Sequence, residues 1–131
     1  MVRFCRLAEI PVEFSCRELR SDHFFSSTDG QLRGELVKVH KSAEGCAVKP
    51  DIPYHYHTKR HLFIFGLKGR SVYLVNGRKY TVELGTMLYI EPGDAHHTVE
   101  IGDHEGEVLE VFYEPPESQT VEVPEEQFSG G

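Results

Sequence analysis

Short runs rich in Val, Ile, Leu, Tyr, Phe and Thr recur through this chain, and Gly, Asn, Asp or Pro separates most of them. They are LRGELVKVHK (32–41), HLFIFGL (61–67), SVYLVNG (71–77), RKYTVEL (78–84), TMLYIEP (86–92), HTVEI (97–101) and EVLEVFY (107–113). β-Branched and aromatic side chains suit a pleated, half-buried surface, and such runs at roughly 8–12-residue spacing indicate an all-β sandwich or barrel. No window of comparable length carries the apolar repeat of an amphipathic helix. The sharpest local signal is Asn76-Gly77, because a two-residue type I′ turn needs positive φ at both positions and Asn-Gly supplies it at least cost. A β-hairpin is expected there.

At 131 residues and 14.9 kDa the chain has room for one domain. Its body is expected at 32–114. Residues 1–31 hold Phe4, Leu7, Ile10, Val12, Phe14, Phe24 and Phe25, divided by Pro11 and a Ser27–Gly30 turn, and are expected to form arms or short strands packed on that body. Residues 115–131 are rich in proline and glutamate, end in a Gly pair, and are expected to form a mobile acidic tail.

Fourteen Lys and Arg against 21 Asp and Glu give a formal charge of −7, which argues against nucleic acid or an anionic membrane as partner. No stretch reaches the roughly 18–20 apolar residues of a membrane helix. The start, MVRFCRLAEIPVEF, has charges and a proline where a signal peptide would run apolar. Cys5, Cys16 and Cys46 are odd in number and form no C-x-x-C pair, so a reduced, cytoplasmic setting is expected.

Five of the eight histidines, His55, His57, His61, His96 and His97, fall in two segments flanking the hairpin. On a strand, residues two apart share a face, so the imidazoles of His55 and His57 converge and can share one divalent cation at ~2.0–2.1 Å. His61, four residues further, keeps that parity. The second segment, GTMLYIEPGDAHHT (85–98), ends a strand in a Pro-Gly turn able to swing His96 back over the first pair. His97 has the opposite parity and is expected outside the cluster. His23, His40 and His104 are read as ordinary surface or core histidines.

These two segments resemble the cupin family, whose fold is a double-stranded β-helix, or jelly-roll barrel. The family's first motif runs H-x-H, three or four residues, Glu, then six residues to Gly. Here His55-Tyr56-His57 is followed by three residues, His61, and Gly69 after seven more. The second motif runs Gly, five residues, Pro-x-Gly, two residues, His. Gly85 is followed by five residues, Glu91-Pro92-Gly93, two residues and His96, with Glu91 where the family has its first proline. The resemblance implies His55, His57 and His96 as metal ligands, with His61 in the glutamate slot. Four neutral imidazoles would leave a divalent ion its full charge and make it a stronger Lewis acid.

The implied cofactor is one divalent transition metal ion, Fe, Zn, Mn or Ni, which residue identity does not decide. The implied activity is metal-dependent chemistry on a small oxygenated metabolite, either oxygenation or isomerisation and cyclisation. Candidate acid/base groups are Tyr54, Tyr89 and Glu91, with Tyr56, Tyr73 and Asp94 also near the motifs; Glu91 is placed to accept a ring N–H from His96. Two alternatives remain open: a non-catalytic sugar- or carboxylate-binding protein, and a metal-free sugar-nucleotide isomerase with His57 or His96 as base. A homodimer through an edge strand or the 1–31 arm is expected by analogy of fold.

Overall fold

The structure, a computed structural model, describes residues 2, 4–10, 13–14, 18–20, 25–39, 54–101 and 106–124. Its strands are β1 (Glu13–Phe14), β2 (Glu18–Arg20), β3 (Phe25–Ser26), β4 (Leu32–Val39), β5 (His55–His57), β6 (His61–Lys68), β7 (Arg70–Val75), β8 (Arg78–Glu83), β9 (Met87–Ile90), β10 (His96–Ile101), β11 (Gly106–Tyr113) and β12 (Thr120–Glu122). Among the described residues a single 3-10 turn, Leu7–Glu9, is helical, and no helix is long and apolar enough to cross a membrane.

Seven strands form one sheet in the order β1-β2-β4-β11-β6-β9, with β3 also on β4. Five form the other, β12-β5-β10-β7-β8. The pairings within both sheets are antiparallel. This is the double-stranded β-helix that the family resemblance implies, within the sandwich-or-barrel class that the strand pattern indicates.

Side-chain alternation accounts for the core. Leu62 and Ile64 on β6, Tyr73 and Val75 on β7, and Val108 and Phe112 on β11 form one buried cluster with Val37, Val82 and Ile90. The intervening residues of β6, His61, Phe63 and Phe65, project from the opposite face, as a pleated strand requires. Asn76 and Gly77 have φ values of 49° and 82°, the pair of left-handed conformations that joins β7 to β8 as a tight hairpin. The two sheets meet where Gly66 bridges Leu84 in parallel. A Cβ on Gly66 would lie 1.9 Å from the Glu83 carbonyl oxygen, so only glycine permits that approach.

The arm and the tail both join the sheets. β1, β2 and β3 extend the larger sheet beyond β4, with Phe25 lying over Gly34. Residues 115–124, expected in a mobile tail, instead turn back and add β12 to β5, pairing Thr120 with His57, Val121 with Tyr56 and Glu122 with His55. Three residues between prolines suffice because β5 is an edge whose backbone groups lack a partner until β12 arrives. Cys5 is exposed. Cys16, Cys46, His23, His40, His104 and residues 125–131 lie outside the described residues.

Candidate metal centre

β5 presents His55 and His57 on one buried face, and β10 sets His96 directly opposite His55 in the ladder. The ring centroids are 4.5 Å apart for His55–His96, 4.9 Å for His55–His57 and 5.5 Å for His57–His96. One ring nitrogen from each residue falls within 4.8 Å of the other two. The Pro92-Gly93 turn that delivers His96 is fastened to the first segment, since the Gly93 amide donates to the His57 carbonyl at 2.9 Å.

Neighbouring groups fix what two of the rings, His96 and His57, offer. His96 Nδ1 lies 2.8 Å from the Asp94 carbonyl oxygen, which can only accept, so Nδ1 carries the hydrogen and Nε2 keeps its lone pair. Asp94 is itself held by Asn76, whose Nδ2 donates to Oδ1 at 2.8 Å, and it accepts the Glu91 amide at 3.0 Å. His57 Nδ1 is 3.0 Å from Thr120 Oγ1 and 3.8 Å from Glu114 Oε2, two oxygens that favour hydrogen on that nitrogen and leave Nε2 free.

Both rings are neutral near neutral pH. Burial, reinforced by Arg60, His55 and His96, lowers His57 to about 3 despite the opposing charge of Glu114. Burial also lowers His96 to about 4, partly offset by its bond to the Asp94 carbonyl. Neutral imidazoles with directed lone pairs are the donor set a divalent transition ion takes, so the residues present fit a metal.

The rings open on a cavity of about 280 Å³, also lined by Glu35, Arg60, Leu62, Ile64, Tyr73, Thr98 and Glu110. Glu35 and Glu110 face each other across the β4–β11 ladder. Arg60 donates to Glu114 Oε1 at 2.9 Å. Burial raises the Glu114 carboxyl, but Arg60, Ser118 and His57 more than reverse this and leave it below the usual carboxylate range.

The fourth predicted ligand and the three predicted acid/base residues do not join this site. His61 lies on the outer face of β6, its Nδ1 2.6 Å from Tyr89 Oη and its ring stacked on Tyr89 at 6.0 Å. The intervening residues 58–60 are outside any strand, so the parity of β5 does not carry into β6. Counting four residues after His57 instead of three puts Leu62 in the family's glutamate slot and leaves six residues before Gly69. Leu62 does face the cavity. The slot therefore holds an apolar side chain.

Tyr54 is buried behind β5 with Leu74 and Ala95, and its hydroxyl accepts the Gly77 amide at 3.2 Å. Strand alternation already separates it, with Tyr56, from His55 and His57. Tyr89 stacks on Phe63 outside the barrel, and Glu91 is exposed in the Pro-Gly turn, where the Asp94 carbonyl takes its predicted place as partner of His96. His97, expected outside the cluster, is not among the three converging imidazoles, but it lines the same cavity and packs edge-on against Tyr54 at 5.1 Å. Sequence reading passed over Glu35, Arg60 and Glu110. For Glu110 a signal existed, because Val108 and Phe112 put apolar neighbours on both sides of it on one face.

Three buried imidazoles brought together inside a jelly roll define a β-barrel protein able to hold a metal ion. A model of the Cupin domain family matches residues 46–112, and the chain belongs to that family. No curated protein matches it in sequence. Among solved structures it resembles a sugar phosphate isomerase of the cupin superfamily from Silicibacter pomeroyi, at 16% identity and TM-score 0.65, over 92% of this chain and 82% of that one. KdgF from a Halomonas species aligns at 14% identity and TM-score 0.65, over 85% of this chain and 94% of its own. An uncharacterized conserved protein with a double-stranded β-helix domain from Klebsiella pneumoniae aligns at 15% identity and TM-score 0.66, over 94% of this chain and all (100%) of that one. At these identities the likeness is one of fold.

Proposed function

We propose that this cupin is a metal-dependent enzyme that isomerises a small oxygenated metabolite with a carbonyl next to a hydroxyl-bearing carbon. The observation that carries this reading is the meeting of His55, His57 and His96 in one cavity with Glu35 and Glu110. His55, His57 and His96 would hold a divalent ion, which when bound would supply a Lewis acid for a carbonyl oxygen. Glu35 and Glu110 are the cavity's carboxylates; one takes the proton from the hydroxyl-bearing carbon and returns it to the former carbonyl carbon, while the other passes the hydroxyl proton to the former carbonyl oxygen. The proton is conserved and no oxidant is consumed, so the site needs no second cofactor. Leu62 and Ile64 give the cavity dry walls, where such charges act more strongly than in water. The name of the Silicibacter pomeroyi neighbour, a sugar phosphate isomerase, supports this choice over oxygenation.

The test is proton exchange into deuterated water, followed by NMR across a panel of aldoses, ketoses and their acids, with metal content measured on untagged protein. Exchange by the metal-loaded protein that disappears in Glu110→Gln or Glu35→Gln, with the metal retained, is the expected result. Exchange that persists in metal-free protein and fails in His57→Ala would favour the metal-free isomerase. Binding of a panel member without turnover would favour the non-catalytic protein. We also expect a homodimer; a monomer by light scattering at micromolar concentration would refute it.

A further inference from the structure

A cluster of charged side chains stands beside the imidazoles. Arg60 lines the cavity, and its Nη2 and that of Arg33 donate to one oxygen of Glu114, at 2.9 and 3.3 Å. Both guanidinium groups lie over the Phe112 ring, 4.4 Å from its centroid for Arg60 and 4.8 Å for Arg33. One carboxylate thus serves two cations, each through a single N–H, where a full fork would engage one arginine with two. The cluster keeps one positive charge in excess, held in place by a ring and a carboxylate.

The cavity's two carboxylates sit apart from it. Glu110 precedes Phe112 by two residues on β11, and Glu35 follows Arg33 by two on β4. A strand advances ~3.3–3.4 Å per residue, so the acidic pair and the guanidinium level are about 7 Å apart along the barrel wall. The cavity is bipolar, with carboxylates at one level and the Arg60 guanidinium at the other.

We propose that Arg60, backed by Arg33, binds an oxyanion of the substrate, so that the cavity takes a metabolite bearing a carboxylate or phosphate in preference to its uncharged analogue. The inference rests on the reading of this cavity as the substrate site and adds the charge of what enters it. Glu114 and Phe112 act as positioning residues for Arg60. The guanidinium donors not engaged by Glu114 receive the anion, and the polarisable end of the substrate then reaches the level of Glu35 and Glu110.

Three probes sharing one carbon skeleton, glucose, gluconate and glucose 6-phosphate, test this on the zinc-loaded full chain by ligand-observed NMR titration, with bound zinc measured in the same samples. At least one anion is expected to bind about tenfold or more tightly than glucose. The preferred anion identifies the group as carboxylate or phosphate. Arg60→Gln should remove the preference while zinc is retained, and Arg60→Lys should lose about threefold, because a point charge replaces the planar fork.

Equal binding of all three probes, including no binding of any, overturns the proposal. So does a preference that survives undiminished in folded Arg60→Gln protein, since the anion would then sit on the zinc. An Arg60-dependent preference in zinc-free protein would support the anion site even if the metal reading fails, which keeps the two failures distinguishable.

Discussion

At the level of single residues, the candidate ligands depend on groups outside the cavity. Thr120 reaches His57 from a strand at the far end of the sequence, 63 residues away. Removing such a partner typically weakens a metal site about 10–100-fold. Thr120→Val is therefore expected to lower zinc affinity by that order in a chelator competition, and Thr120→Ser to restore it; an unchanged affinity in the valine variant would contradict the assigned tautomer of His57. Leu62→Glu should place a carboxylate in the cavity beside the imidazoles and tighten zinc binding while lowering the melting temperature of the zinc-free protein. His61→Ala should leave zinc binding unchanged. The H-x-H pair and the Pro-Gly turn before His96 were legible in the sequence because short-range spacing dictates their geometry. His61 misled because residues 58–60 break the strand, so parity could not be counted through them, and the motif's own four-residue spacing was the better guide. Arg60 and Glu35 carried no local sign that they face inward.

At the level of elements, runs with alternating faces and a defined turn were the readable ones. The hairpin at Asn76-Gly77 follows from the φ each residue adopts, and the strands through 32–113 follow from their apolar spacing. β12 was not readable, since three residues among prolines and glutamates have no pattern of their own and become a strand only because β5 offers an edge. Closure of the barrel at Gly66 was equally hidden, as a contact between β6 and the end of β8 is not local. Gly66→Ala forces a Cβ to within 1.9 Å of backbone, which neighbouring side chains cannot relieve. A loss of about 1–3 kcal/mol or more is expected in urea unfolding, and a loss under about 0.5 kcal/mol would contradict the closure described.

At the level of the whole molecule, burial of neutral histidines ties stability to pH. In the unfolded chain His57 and His96 take up protons near 6.5, whereas in the folded, metal-free protein they do so only near 3 and 4. Between those limits the unfolded state binds more protons, so stability falls as pH drops below about 6.5 and levels off once the folded rings protonate. The melting temperature of the metal-free protein should therefore decline steadily from pH 7 to pH 5. Saturating zinc should hold it up near pH 7 and lose that effect as acid displaces the metal. A flat profile without metal would mean that the rings are not buried neutral. The central claim is that three imidazoles from two separated segments grip one ion. X-ray absorption spectroscopy at the metal edge, on untagged protein loaded with one equivalent of zinc, tests it most directly. The expected result is one zinc per chain with about three imidazole nitrogens near ~2.0–2.1 Å, lost in His57→Ala; sub-stoichiometric zinc, or a spectrum without imidazole scattering, would contradict it.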